Sequence, residues 1–139
     1  MSIWKAKSLK TSMPWGYEVI FNSPFGMAGK LIILEGDKRL SLKYYEHRDQ
    51  VIYCLQGMVS IYAPDEKEFG DIVTKNGNYF ELSAGESILI QRGNKYRIIG
   101  LKNSTLIEVL VGERHADPPK RLEDDYGRVN IEDKTHMEK

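Results

Sequence analysis

Arg39-Leu40-Ser41-Leu42-Lys43-Tyr44-Tyr45-Glu46-His47-Arg48-Asp49-Gln50 reads as a strand, a charged turn and the start of a second strand. Alternation along an extended chain puts Lys43 and Tyr45 on one face. The run that follows, Val51-Ile52-Tyr53-Cys54-Leu55, is apolar and closes on Gln56-Gly57, a pair suited to a tight turn.

Working outward, the same signal recurs. Short runs rich in Val, Ile, Tyr and Phe, bounded by Gly, Pro, Asn or Asp, predict strands over 17–22, 28–34, 39–45, 50–56, 58–62, 72–75, 79–82, 87–91, 96–100 and 105–111. Gly36-Asp37, Asn76-Gly77-Asn78, Ala84-Gly85 and Arg92-Gly93-Asn94 supply residues that tolerate positive φ between them. No stretch holds a helical period over three turns. The expectation is an all-β barrel or sandwich of one domain, which suits 139 residues. Residues 1–16, with Trp4 and Trp15, read as an N-terminal arm; 17–128 as the barrel with a C-terminal extension; 129–139 as a frayed tail. Asp117-Pro118-Pro119-Lys120 is an extended connector, because successive prolines exclude both helix and ladder pairing.

Twenty Lys and Arg balance twenty Asp and Glu. That neutrality argues against a nucleic-acid or membrane-surface binder, whose affinity rests on basic excess. The single cysteine, Cys54, lies in an apolar run and reads as a buried structural thiol. There is no signal-peptide pattern and no apolar run of membrane-spanning length, so a soluble cytoplasmic protein is expected.

The strand count and glycine spacing resemble a cupin, a double-stranded β-helix or jelly-roll barrel. Gln50, six residues and Gly57 fit the end of the first cupin motif; Gln91-Arg92-Gly93-Asn94-Lys95-Tyr96 fits the spacing of the second. The closer resemblance is to the C-terminal cupin domain of type II mannose-6-phosphate isomerases. It rests on Pro14-Trp15-Gly16, on Leu40-Ser41-Leu42 with Arg48, on Ile107-Glu108-Val109 with Gly112, and on Arg121-Leu122-Glu123-Asp124-Asp125-Tyr126-Gly127-Arg128.

The resemblance implies a metal held by four inward side chains, at positions that here fall on Lys43, Tyr45, Gln50 and Tyr96. A protonated lysine repels a cation, and a phenol near neutral pH is a poor ligand. The expectation is therefore no metal and no other cofactor. The same residues compose a polar pocket suited to a sugar phosphate or nucleotide-linked sugar. Two metal-free readings of that pocket are open, beside a third in which it is a metal-dependent isomerase with unusual ligands. In one it isomerises the sugar, with Lys43 or His47 as base and Tyr45 or Tyr96 as acid. In the other it only binds, as a regulatory cupin. Against both stands plain packing, with Lys43 snorkelling from the barrel mouth. Arg48, Gln50, Glu123 and Arg128 are candidate substrate-binding residues; the bland alternative is a turn residue at Arg48 and a salt-bridged docking segment around Glu123 and Arg128. Exposed strand edges and the arm suggest a homodimer.

Overall fold

The computed structural model describes residues 3–21, 26–64, 77–112 and 118–127. The expected strand at 72–75, the tail at 129–139 and Arg128 lie outside the described residues. These residues form eleven strands: β1 (Leu9–Met13), β2 (Gly16–Ile20), β3 (Met27–Leu34), β4 (Leu42–Tyr44), β5 (Arg48–Gln56), β6 (Met58–Pro64), β7 (Gly77–Ser83), β8 (Ser87–Ile90), β9 (Arg97–Gly100), β10 (Ser104–Gly112) and β11 (Lys120–Glu123). No helix occurs among the described residues, so none there is long and apolar enough to cross a membrane.

Every pairing among the described residues is antiparallel. One sheet runs β1-β2-β3-β10-β5-β8. The facing layer joins β7-β6-β9 to the pair β11-β4. The joint is a reciprocal pair of hydrogen bonds between Lys43 and Tyr96, at 3.0 and 2.9 Å. Strict alternation builds the core: Ala28, Lys30, Ile32 and Leu34 of β3 point inward, as do Leu106, Glu108 and Leu110 of β10. They meet Val59, Ile61 and Ile98 of the opposite layer, with Ile52 and Cys54 of β5 beside them. Cys54 is a buried free thiol, as its apolar run implied. Gly57 turns the β5–β6 corner at φ 91. A Cβ there would strike the Asn103 carbonyl and the Ser104 hydroxyl, so the turn admits only glycine.

The segment 39–45 is less regular than its alternation predicts. Only Leu42–Tyr44 forms a strand, with an isolated bridge from Arg39 to Ile99. The guanidinium of Arg97 explains part of this, since its Nε donates to the Leu40 carbonyl at 2.8 Å, a side chain standing where a backbone partner would. Residues 1–16 are not simply an arm. Leu9–Met13 adds an edge strand to β2, and Trp15, at the β1–β2 turn, is 2% exposed and belongs to the core. The proline connector does lead into β11, which pairs with β4.

Candidate functional site

The inward alternation of β3 and β10 places two charges in the core, where such groups are seldom found unpaired. Lys30 and Glu108 sit directly opposite one another across the β3–β10 ladder. Glu18 on β2 lies diagonal to Lys30, with its Oε2 3.8 Å from the ammonium. From the facing layer come Lys43 on β4 and Arg121 on β11, themselves cross-strand partners. These five charges line one pocket together with Trp15, Met13, Ile32, Leu40 and Ser41. Glu18, Lys30, Lys43 and Glu108 are each less than a tenth exposed. The enclosed free space is about 10 Å³, close to the least that admits one water.

Burial is the largest influence on Lys43. It brings the ammonium down to about 8, helped by the Lys30 and Arg121 cations and opposed by the Glu108 carboxylate. One oxygen of Glu18 and one of Glu108 are buried without a hydrogen-bond partner. Leaving such atoms unmatched costs about 1–3 kcal/mol each, so both are poised to accept from a donor entering the pocket.

A second polar cluster abuts the first. The Tyr96 hydroxyl donates to Gln50 Oε1 at 3.2 Å, and both side chains are buried. The Gln50 amide nitrogen has no partner. Burial, then the Glu108 charge, drives the Tyr96 phenol well above 10, so it keeps its proton. The Lys43 ammonium lies 5.9 Å from the centre of the Tyr96 ring, within cation–π range.

Of the expected site residues, Lys43, Tyr45, Gln50 and Tyr96 are all buried, and Lys43, Tyr96 and Gln50 come together. His47 does not join them. It sits on the β4–β5 turn, its side chain 40% exposed, 3.4 Å from Glu46. Arg48 opens β5 opposite Gly112 and does not line the pocket. Glu123 faces out and pairs with Arg97 at 3.3 Å, which fits the salt-bridged docking segment. Sequence reasoning missed Glu18, Lys30, Glu108 and Arg121 as pocket residues.

The metal that a cupin resemblance implies was tested against these side chains. An ammonium, two phenols and an amide do not make a cation site. No group of three His, Cys, Asp or Glu among the described residues is placed to hold a metal ion.

A two-layered antiparallel barrel around a polar mouth is a cupin jelly roll, and solved structures agree. KdgF from a Halomonas species superposes with TM-score 0.62 at 14% identity, over 79% of this chain and 89% of that one. An RmlC-like cupin from Shewanella frigidimarina gives TM-score 0.64 at 14% identity, over 82% and 95%. The capsular polysaccharide assembling protein CapF from Staphylococcus aureus gives 0.64 at 14% identity, over 86% of this chain and 33% of CapF. At such identities the likeness shows the fold: this chain has the cupin fold. No protein-family profile matches the sequence, and no curated protein matches it significantly.

Proposed function

We propose that the protein binds a small, hydroxyl-rich anion, a sugar phosphate or nucleotide-linked sugar, in the pocket around Lys43 without a metal. The observation that carries this is the set of buried charges at the barrel mouth. Two lysines and an arginine answer an anion. The partnerless oxygens of Glu18 and Glu108 accept hydroxyl protons, and Trp15 and Met13 supply apolar wall. A sugar needs more room than one water, so binding displaces the long cationic side chains. Neighbours such as the capsular polysaccharide assembling protein fit a carbohydrate ligand, and the motifs resembling mannose-6-phosphate isomerase fit it further.

Calorimetric titration with mannose 6-phosphate, glucose 1-phosphate and UDP-glucose tests the reading. Binding that resists EDTA and disappears in Lys43→Met is expected. No binding to any of the three overturns the proposal, as does stoichiometric zinc, iron or manganese in protein purified without added metal.

A catalytic version is favoured by one observation, the lowered proton affinity of Lys43. Aldose–ketose isomerisation carries a proton from one carbon to the carbon beside it. Lys43 as free amine would take that proton and return it to the neighbouring carbon, while the proton of the adjacent hydroxyl passes to the carbonyl oxygen, which the protonated Tyr96 holds by a hydrogen bond. His47 is too exposed and too far round the turn to share this role. Solvent deuterium entering a bound sugar phosphate, at a rate rising up to about pH 8 and lost in Lys43→Met, is the expected result. Binding without exchange leaves a binding protein only.

A further inference from the structure

Three cations and two carboxylates line the pocket, and the third cation comes from β11, which pairs only with β4 among the described strands. Arg121 lies on β11, directly across from Lys43. Like charges opposite one another on paired strands destabilise them, and burying one makes matters worse.

The strand that carries Arg121 is also held with unusual care. Arg97, its side chain 4% exposed, donates Nη1 to Glu123 at 3.3 Å and Nη2 to Asp125 at 2.9 Å. Arg39 grips the same Asp125 with two bonds, at 2.6 and 2.8 Å. Lys120 reaches Glu46 on the β4–β5 turn. Arg121 thus stands between an anchor at its own N-terminal side and a two-arginine clamp at its C-terminal side. Leu122 next to it is 40% exposed, and the ladder shifts register between Arg121 and Glu123. The strap is therefore fixed at its ends rather than by burial of its own apolar side chain.

We infer that the strap Lys120–Glu123 is part of the ligand site, and that Arg121 is the residue that reads the anionic group while Glu18 and Glu108 read the hydroxyl end. This rests on the proposed sugar-phosphate pocket and adds to it where selectivity for the phosphorylated form resides. A guanidinium offers a planar fork that matches two phosphate oxygens, which an ammonium cannot. Arg97 and Asp125 are positioning residues for it.

The experiment compares mannose 6-phosphate with mannose, by calorimetry, across wild type, Arg121→Met, Arg121→Lys and Lys43→Met, each checked for a single cooperative melting transition above the assay temperature. In Arg121→Met the affinity for mannose 6-phosphate should drop about tenfold to a hundredfold, the worth of one or two charge-assisted hydrogen bonds. The ratio of its affinity to that for mannose should collapse towards one, and Arg121→Lys should restore only part of that ratio. If Arg121→Met binds mannose 6-phosphate as wild type does while Lys43→Met loses it, the strap inference is wrong and the pocket reading stands. Equal losses for the phosphorylated and neutral sugars in Arg121→Met would also overturn it. If wild type binds neither, both fall.

Discussion

Lys43 sits at about 8, below the 10.5 of an unfolded lysine, chiefly because burial disfavours its charge. Between those two values the unfolded chain binds more protons than the folded one, so stability contributed by this residue rises with pH across that window. Below pH 8 the cost is present in full, roughly 3 kcal/mol. The free energy of unfolding of wild type, minus that of Lys43→Met, should therefore climb by about that amount from pH 8 to 10.5 in urea titrations. A difference that stays flat would mean that Lys43 is not held charged in a dry site. Tyr96 makes a sharper local case. Tyr96→Phe removes the donor to Gln50 Oε1 and leaves that amide buried with neither end matched. A loss of about 1–2 kcal/mol is expected, read as a lower urea midpoint at unchanged slope. These residues were legible in the sequence because alternation fixes a face once the strand is recognised. Lys30 and Glu108 were legible in principle and missed. Each stands in phase with core residues, Lys30 between Ala28 and Ile32, and Glu108 between Leu106 and Leu110. A charge in phase with apolar neighbours is a buried charge, and that was the available signal. Arg121 carried no such signal, since its cross-strand partner Lys43 lies far back in the chain on β4, and only the tertiary pairing sets the two side by side.

At the scale of elements, β11 and its flanks are the part of the fold most dependent on ionised carboxylates. The Arg39 guanidinium, with Arg97 beside it, holds the Asp125 carboxyl below its ordinary 3.8. Lys120 does the same for Glu46. A depressed carboxyl contributes stability that is complete above about pH 4 and is lost as pH falls through the folded value. Acid should therefore loosen the strap before the barrel. Hydrogen exchange at Lys120–Glu123 is expected to quicken as pH drops from 5 to 3, after correction for intrinsic rates, while Leu106 and Leu110 in the middle of β10 stay protected. Simultaneous loss of protection everywhere would show that the clamp is not separable from the core. The strand pattern itself was readable because β-branched runs between glycine turns leave few alternatives; β3, β5, β6, β8 and β10 fall close to where alternation put them. The two strands that composition hid, β1 and β11, are edge elements. Leu9-Lys10-Thr11-Ser12-Met13 has too few apolar residues to announce a strand, and it exists because β2 offers an unpaired edge.

At the scale of the whole molecule, one face is left uncovered by the described residues. On the outer side of the six-stranded sheet, Val109 of β10 sits opposite Val51 of β5 and Gly29 of β3, and Val51 sits opposite Leu89 of β8. Val111 faces Met27 across the next rung but one. Val51, Leu89, Val109, Val111 and Met27 are each at least 40% exposed, and Tyr53 and Leu55 extend the patch along β5. Apolar side chains clustered on one exposed face mark a candidate interaction surface. A second copy is the occupant that the chemistry favours. Asp49, opposite Val111 on this face, is already paired with Arg92 at 3.1 Å, and a formal net charge of zero sets no long-range repulsion between copies. The homodimer expected from the sequence would appose two such sheets, about 10 Å apart face to face as in a sandwich. Light scattering behind size exclusion should give twice the 16.0 kDa chain mass at micromolar concentration. Val109→Glu places a charge at the centre of the patch on each copy and should return the chain mass without lowering the affinity for mannose 6-phosphate, because residue 109 points away from the barrel interior. A monomeric wild type would refute this assembly, and a Val109→Glu variant that stays dimeric would move the interface elsewhere on the molecule.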